Sequence, residues 1–585
     1  MVGLPIGCGL KAVAIGQDVN FDSLNYHIYD AWAFLNGRTF TDVFPAGSQS
    51  LVDPLIDVPP YLLQAHTSPH VAAFTIGFEQ GLGPVLTMII VCRMMKSPIL
   101  GVLAGLTAAI AGGFASELGN DMGDSLLAPV FALAVLFAYN AIRSRRSVAA
   151  GAGAADRPRR RLRLRVKLEY RWWLASGLVA GVGGGLKFAE LPITVGVIVG
   201  AAVVSGPFRL RASRLLASSV GGLVGLAATA GQWTIELWQH YGDPFAFLGG
   251  SILGFADPYA IAPSTSSASA AASSPPIQVI QALWAPVTAF FHPLEFAELP
   301  IKEASLAIAT AMLFLLVIVS VISLPVRLRR KRRSLRHEAT AVTTARDDVG
   351  AADFDWLMIT VLVIAVLLWE HYLRIYRYLI PLEVLAPVLV VALFGRVSAL
   401  VRAARPRALL QTRVLPAFFV AVCLFSILTA APSGYWLRAP FGPTWSSITT
   451  PKMLENGKTN ALVGLSPLGE PSAFILPLLK GHFVAIGGVT GQSSSDMLTP
   501  ATRKLLDKTF TKVRHGGGSV IGYWRDEPTP EGPLNLINAI DPYRQQMGPC
   551  VSGYMTVGVY LQLVTFCRFL PAATASAGKS RTTPA

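Results

Sequence analysis

Apolar runs of about 18 residues or more recur along the whole chain, and each is long enough to cross the hydrocarbon core of a bilayer. Together with shorter apolar runs they give spans read at 2–15, 71–94, 98–116, 126–142, 172–186, 191–207, 215–233, 304–324, 356–369, 379–394 and 414–431. Composition agrees with the pattern. Of the 585 residues, 52% are hydrophobic and only 14% charged, with a mean hydropathy of +0.50. A soluble chain of this size carries roughly a quarter charged residues. The expected class is a polytopic α-helical membrane protein with about 11 transmembrane helices.

A net charge of +15 would suit a nucleic-acid partner, but the basic residues are not arranged as a binding patch. Alternate connections between apolar runs hold two, ten, three, seven and five Lys or Arg, together 27 of the 49 in the chain. Basic residues concentrated in alternate loops are a topology signal, so no nucleic acid is expected. The rule places the N-terminus in the cytoplasm and the C-terminus outside. It also gathers the loop after residue 15, the acidic loop 117–124, Lys187, the turn at Arg374–Arg377 and the whole tail on the outer face. No charged segment precedes the first apolar run, so a cleavable signal is not expected. That run is short and holds Lys11, which implies either a tilted first helix or a start site placed too far downstream.

The expected organisation is a membrane domain, 1–431, with a first outer loop at 17–70 and a second long outer loop at 232–303. The second loop contains the low-complexity segment 263–276. The tail, 432–572, alternates strand signals (461–464, 482–486, 519–523) with helix signals (473–479, 502–513), which predicts a small extracytoplasmic α/β domain. Residues 573–585 read as disordered. Gly516–Gly518 do not form a dinucleotide fingerprint, because no GxGxxG is present. Cys8, Cys92 and Cys423 fall in or beside apolar runs and read as packing residues. Cys550 and Cys567 lie in the tail, whose oxidising compartment would favour a disulfide between them.

Chemistry is concentrated in the segment GQDVNFDSLNYHIYDAWAFLNGR, where the chain leaves the first apolar run. Asp18, Asp22, His27 and Asp30 fall within thirteen residues, interleaved with Phe21, Tyr26, Tyr29 and Trp32. Carboxylates and aromatics at a membrane–water boundary suit a site for a polar group carried on a lipid. The acid at Asp22 ahead of Tyr26-His27, in the first outer loop, resembles the GT-C glycosyltransferases. A second acidic loop (Glu117, Asp121, Asp124) and a soluble tail extend the likeness. The resemblance implies transfer of a sugar from a polyprenyl-phosphate donor to a lipid or polysaccharide acceptor at the outer face of the cytoplasmic membrane, with inversion. It also implies that the second acidic loop orients the acceptor or binds a divalent metal such as Mg or Mn, although many members need none.

Such a transfer needs a base for the acceptor hydroxyl and cations for the leaving phosphate. Asp22 is the first candidate for the base and Asp18 the second; one of them can instead cap the helix starting near Leu24. His27 is one turn on, placed to bind the acceptor or to hydrogen-bond Asp22 or Asp30. Arg374 and Arg377 offer guanidinium forks for phosphate, with Tyr378 beside them, and the plainer role is interfacial anchoring. Lys187 follows a glycine-rich apolar run, where an unpaired cation is costly. The rival class is a transporter or flippase of lipid-linked saccharides, whose polar residues belong at mid-bilayer depth; Glu79 is the main residue that fits it. A non-catalytic scaffold is the third reading. Sugar, acceptor, lipid length and oligomeric state are not encoded in any motif found.

Overall fold

The computed structural model describes residues 2–151, 159–246, 275–334, 346–404, 414–430, 435–464, 472–487, 500–525 and 545–571. It is mostly helical and divides into two compact units. The first comprises Met1–Asp18, His66–Trp233 and Ser266–Arg438; the second comprises Val19–Ala65, Thr234–Thr265 and Ala439–Ala585.

Among the described residues, five helices are long and apolar enough to cross a membrane: Pro69–Met95, Ser125–Ser144, Phe208–Tyr241, Ala304–Pro325 and Ala351–Tyr372. The pair Tyr376–Val384 and Ala386–Arg402, bent by 66°, makes a sixth if taken as one span. Other runs read as spans correspond to shorter apolar helices, Gly3–Ile15, Pro98–Ala109, Phe188–Val203 and Val414–Thr429. The run 98–116 is interrupted because Ala111 turns extended (ψ 140°) before the single turn Gly112–Ser116. The run 172–186 is the apolar end of a longer helix, Arg159–Leu186, that begins in the basic segment. The region 232–303 is not simply a loop. Pro275–Phe291 forms an apolar helix whose Trp284 meets Phe314 edge-on, with ring centroids 4.9 Å apart. Most of the low-complexity segment lies outside the described residues.

Glycines set the closest helix approach of the first unit. A Cβ at Gly177 or Gly181 would collide with the carbonyl oxygens of Ser218 and Gly222, and one at Gly221 or Gly225 with those of Leu174 and Leu178. Small residues four apart on both helices let the backbones touch, the usual device where lipid offers no hydrophobic drive for helix pairing.

The second unit is built on a six-stranded mixed sheet. Its strands are β1 (Ser446–Ile448), β2 (Asn460–Gly464), β3 (Phe483–Gly487), β4 (Val520–Arg525), β5 (Gln545–Val557) and β6 (Tyr560–Pro571), in the order β1-β5-β6-β4-β2-β3. β2 runs parallel to both β3 and β4, and the β5–β6 hairpin is antiparallel. The helix Pro500–His515 buries Leu506, Phe510 and Val513 against Ala461, Val463, Val520 and Phe569. The three strands and the 502–513 helix expected from the tail are present. The segment expected as helix 473–479 is a 3₁₀ turn, Ala473–Leu478, with Pro477 inside it. The β5–β6 hairpin was not anticipated, and the segment 573–585 lies outside the described residues.

The unit boundary also departs from the expected domain limits, because the first-loop segment belongs with the tail sheet. Val43 bridges Ile486 in parallel, and Asp42 Oδ1 accepts the backbone N–H of Ala485 at 2.8 Å. Arg38 donates to the carbonyl of Phe483 at 2.8 Å, with its guanidinium over the Phe483 ring. Segment 38–44 thus lies against β3 as part of the same unit.

Candidate functional site

In the first unit, the loop 117–124 joins the turn Gly112–Ser116 to the helix that starts near Ser125. Its charged residues are buried: Glu117 and Asp124 are 0% exposed and Asp121 is 2% exposed. Ordinary solvated loop charge would not be so placed, since burying a charge is costly unless it is paired. One side chain holds the loop in shape. Gln80 Nε2 donates to the carbonyls of Glu117 (3.2 Å) and Asn120 (3.3 Å) and to Ser125 Oγ (2.7 Å), while its Oε1 accepts the Gly119 N–H at 2.8 Å. Gly119 has a φ of +76°, and a Cβ there would lie 2.6 Å from the Ala12 Cβ, so no larger residue fits this turn.

Two cations converge on Asp124. Lys187 Nζ lies 2.5 Å from Asp124 Oδ1 and donates to the Met122 carbonyl at 2.6 Å. Arg377 Nε lies 3.9 Å from Asp124 Oδ2. Both cations also face the ring of Tyr378, each 5.4 Å from its centroid, and Arg377 is 5.9 Å from the ring of Trp436. Glu117 Oε2 accepts the Ser125 N–H at 3.1 Å. Burial, and then the charge of Asp124, raises the Glu117 carboxyl well above the usual range, against the opposing pull of Lys187 and Arg377. Burial alone would lower the Lys187 ammonium, but Asp124 more than offsets it and the net shift is upward.

Asp18 is fully buried and belongs to the same unit; its Oδ2 accepts the Asp121 N–H at 3.4 Å. Arg438 donates to the Leu118 carbonyl at 2.9 Å, and burial lowers its guanidinium despite the opposing fields of Asp18, Asp121 and Glu117. Glu117, Asp121, Asp124, Lys187, Arg377, Tyr378 and Asp18, dispersed in sequence, thus meet around one loop. Arg374 does not join them. It has a positive φ (47°), its side chain is 59% exposed, and it pairs with Glu370 at 3.3 Å. The expected two-arginine fork is a single arginine plus a lysine.

Three contributors were not anticipated: Gln80, Arg438 and Glu190. Glu190 is fully buried, and neither of its carboxylate oxygens has a hydrogen-bond partner among the described residues. The spacing Lys187-Phe-Ala-Glu190 was the available signal. The three loop carboxylates do not fit a divalent metal as a set. Asp124 is engaged by two cations and Glu117 by a backbone amide, and no group of three His, Cys, Asp or Glu among the described residues is placed to hold an ion.

The remaining acids of the N-terminal segment lie in the second unit. A π-helical turn, Ser23–His27, leads into the helix Ile28–Leu35. The capping role weighed for Asp22 is filled by Asn20, whose Oδ1 accepts the Ser23 N–H at 2.9 Å; Asp22 makes no capping bond. His27 pairs with Asp57, Nδ1 to Oδ1 at 2.7 Å, both side chains buried. Asp30 is buried near Asp57, and burial followed by that neighbouring charge raises its carboxyl well above the usual range. Tyr29 donates to Asp42, which also takes a bidentate pair from Arg38 at 3.0 and 2.7 Å. In the sheet, Cys550 and Cys567 stand opposite one another on β5 and β6 and are disulfide-bonded.

No known family model matches the chain, and no curated protein matches it.

Proposed function

We propose that the chain is an integral-membrane glycosyltransferase of the GT-C type, moving a sugar from a polyprenyl-phosphate donor to a lipid or polysaccharide acceptor with inversion at the anomeric carbon. The observation that carries the reading is the convergence of Lys187 and Arg377 on the buried loop 117–124, with Tyr378 against both cations. Asp124 is the loop carboxylate that both cations face. Preorganised cations of this kind suit the charge that develops on a leaving lipid phosphate. A phosphate would take over part of the role that Asp124 plays for Lys187 and Arg377. Arg377 supplies directional donors and Lys187 a point charge.

The base is assigned to an aspartate, with one candidate in each unit, Asp18 and Asp22. The basic loops support an orientation with these residues on the outer side of the cytoplasmic membrane. A cysteine introduced at Ser334 should be shielded from an impermeant outside reagent, and one at Ser493 should react. The reading itself is tested by transfer of radiolabelled sugar from a polyprenyl-phosphate donor in membranes carrying the wild-type chain or the Lys187→Met variant. Equal transfer by both would remove it.

A further inference from the structure

We propose that the first unit carries a separate site for an anionic membrane phospholipid, which takes one acyl chain in an apolar groove and the phosphate at Lys11. The proposal does not depend on glycosyl transfer. It starts from a residue that the acidic loop cluster leaves unexplained, a lysine in the otherwise apolar helix Gly3–Ile15.

Gly3, Gly7 and Lys11 are four residues apart, so they share one face of that helix. All three line an open groove of about 510 Å³, whose lining also includes Leu106 and Ile110. That volume is within the roughly 300–1,000 Å³ typical of ligand sites. The two glycines are not there to let a neighbour approach. A Cβ at either would meet nothing within 4 Å, unlike Gly9 on the same helix, where a Cβ would lie 2.8 Å from Phe74. Their missing side chains leave the floor of the groove open. Leu106 and Ile110 are 44% and 36% exposed, so this wall faces the surrounding medium, which for a membrane helix is lipid.

The charge pattern selects the occupant. Lys11 is the one charged residue among those lining the cavity, and its ammonium lies 5.2 Å from the centroid of the Tyr435 ring. The Lys11 side chain is exposed, with its ammonium over an aromatic face at the groove. A cation with no lining carboxylate to neutralise it complements a phosphate diester. An apolar trough with no other charge complements an acyl chain, and the second chain of the same lipid remains in the bilayer.

The full chain is purified in detergent and mixed with fluorescently labelled phosphatidylglycerol or phosphatidylcholine, and binding is titrated against thermal melting as the check on folding. Wild type should bind phosphatidylglycerol more tightly. Lys11→Gln should remove that preference, about fivefold on the scale of one lysine near an anionic head group, and Lys11→Arg should largely restore it. Gly7→Leu, which fills the groove where a side chain meets no neighbour, should weaken both lipids by at least about tenfold, since each excluded methylene contributes on the order of 0.8 kcal/mol. Ile322→Phe, on an exposed face of another helix, should change neither. Unaltered binding by folded Gly7→Leu, or a preference that survives Lys11→Gln, overturns the proposal. So does displacement by polyprenyl phosphate at far lower concentration than by unlabelled phosphatidylglycerol, which would give the groove to an isoprenoid instead.

Discussion

Lys187 and Asp124 form a buried ion pair at 2.5 Å, one at the end of a long glycine-rich helix and the other closing an acidic loop. Neither has a hydrated alternative, since the lysine side chain is 12% exposed and the aspartate 0%. Removing one partner strands the other. Lys187→Met should therefore destabilise the chain by about 3–5 kcal/mol, and adding Asp124→Asn should recover a large part of the loss. A double-mutant cycle on thermal melting in detergent measures the coupling. If the two single losses simply add, the ion pair is not what holds this loop.

Asp53 gives a pH dependence with a defined sign. It accepts the Leu55 N–H at 3.0 Å, and burial raises its carboxyl from 3.8 to about 7, with Asp57 adding to the rise and the Leu55 bond opposing it. The folded state therefore holds a proton that the unfolded chain releases. The contribution of Asp53 is fully present below about pH 4 and is lost as the pH rises toward 7. Asp53→Asn keeps an acceptor for Leu55 and has no proton to lose. Melting followed from pH 4 to pH 8 should fall less in Asp53→Asn than in wild type; parallel curves would refute the assignment.

The Cys550–Cys567 bond ties the two strands of the tail hairpin across a separation of 17 residues. Closing a loop of that length contributes about 3 kcal/mol through the unfolded chain. Reduction, or Cys550→Ser with Cys567→Ser, should lower the stability of the sheet by that order without changing the register Ser552↔Thr565 and Tyr554↔Leu563. Peptide mapping of protein from its native compartment should show the linked pair, and two free thiols there would refute it.

Apolar runs gave the membrane class, and the acidic loop 117–124 stood out because three carboxylates fall within eight residues between two apolar runs; that they are buried is seen only in the fold. Lys187 was legible because it follows a glycine-rich apolar run. Gln80 was not, since a neutral amide carries no pattern and its value lies in four hydrogen bonds that only the fold assembles. Arg374 and Arg377 looked equivalent in sequence. The left-handed backbone at Arg374 separates them, sending one to Glu370 and the other to Asp124. The span count suffered from a similar limit: hydropathy sees an apolar run but not the turn at Ala111 or the 66° bend before Ala386 that divides it. The grouping of 19–65 with the tail rests on contacts such as Val43 with Ile486, whose partners are too far apart in sequence for any local signal.

The assignment of the base is decided by comparing Asp18 and Asp22 with Arg377 as reference. General base catalysis contributes about 10²–10⁴-fold in rate, so substitution of the true base by Asn should lower single-turnover transfer by that order while donor affinity stays near wild type. Asp18 is buried beside the acidic loop with its carboxylate on the Asp121 amide, so Asp18→Asn also weakens the loop's own support and should cost some stability. Asp22 is likewise buried, so Asp22→Asn is read only alongside its melting temperature. Arg377→Ala should act differently from both. Loss of a charge-assisted contact to the donor phosphate, about 1.5–3 kcal/mol, should weaken donor binding itself, and Arg377→Lys should restore it only in part because the fork is missing. The readouts are donor affinity and single-turnover rate, measured side by side on variants that melt normally. A dead Asp18→Asn with an active Asp22→Asn puts the base in the first unit, and the reverse puts it in the second. If both turn over at the wild-type rate, the proposed glycosyl transfer has no catalytic centre here, and movement of lipid-linked saccharide across the bilayer becomes the activity to assay.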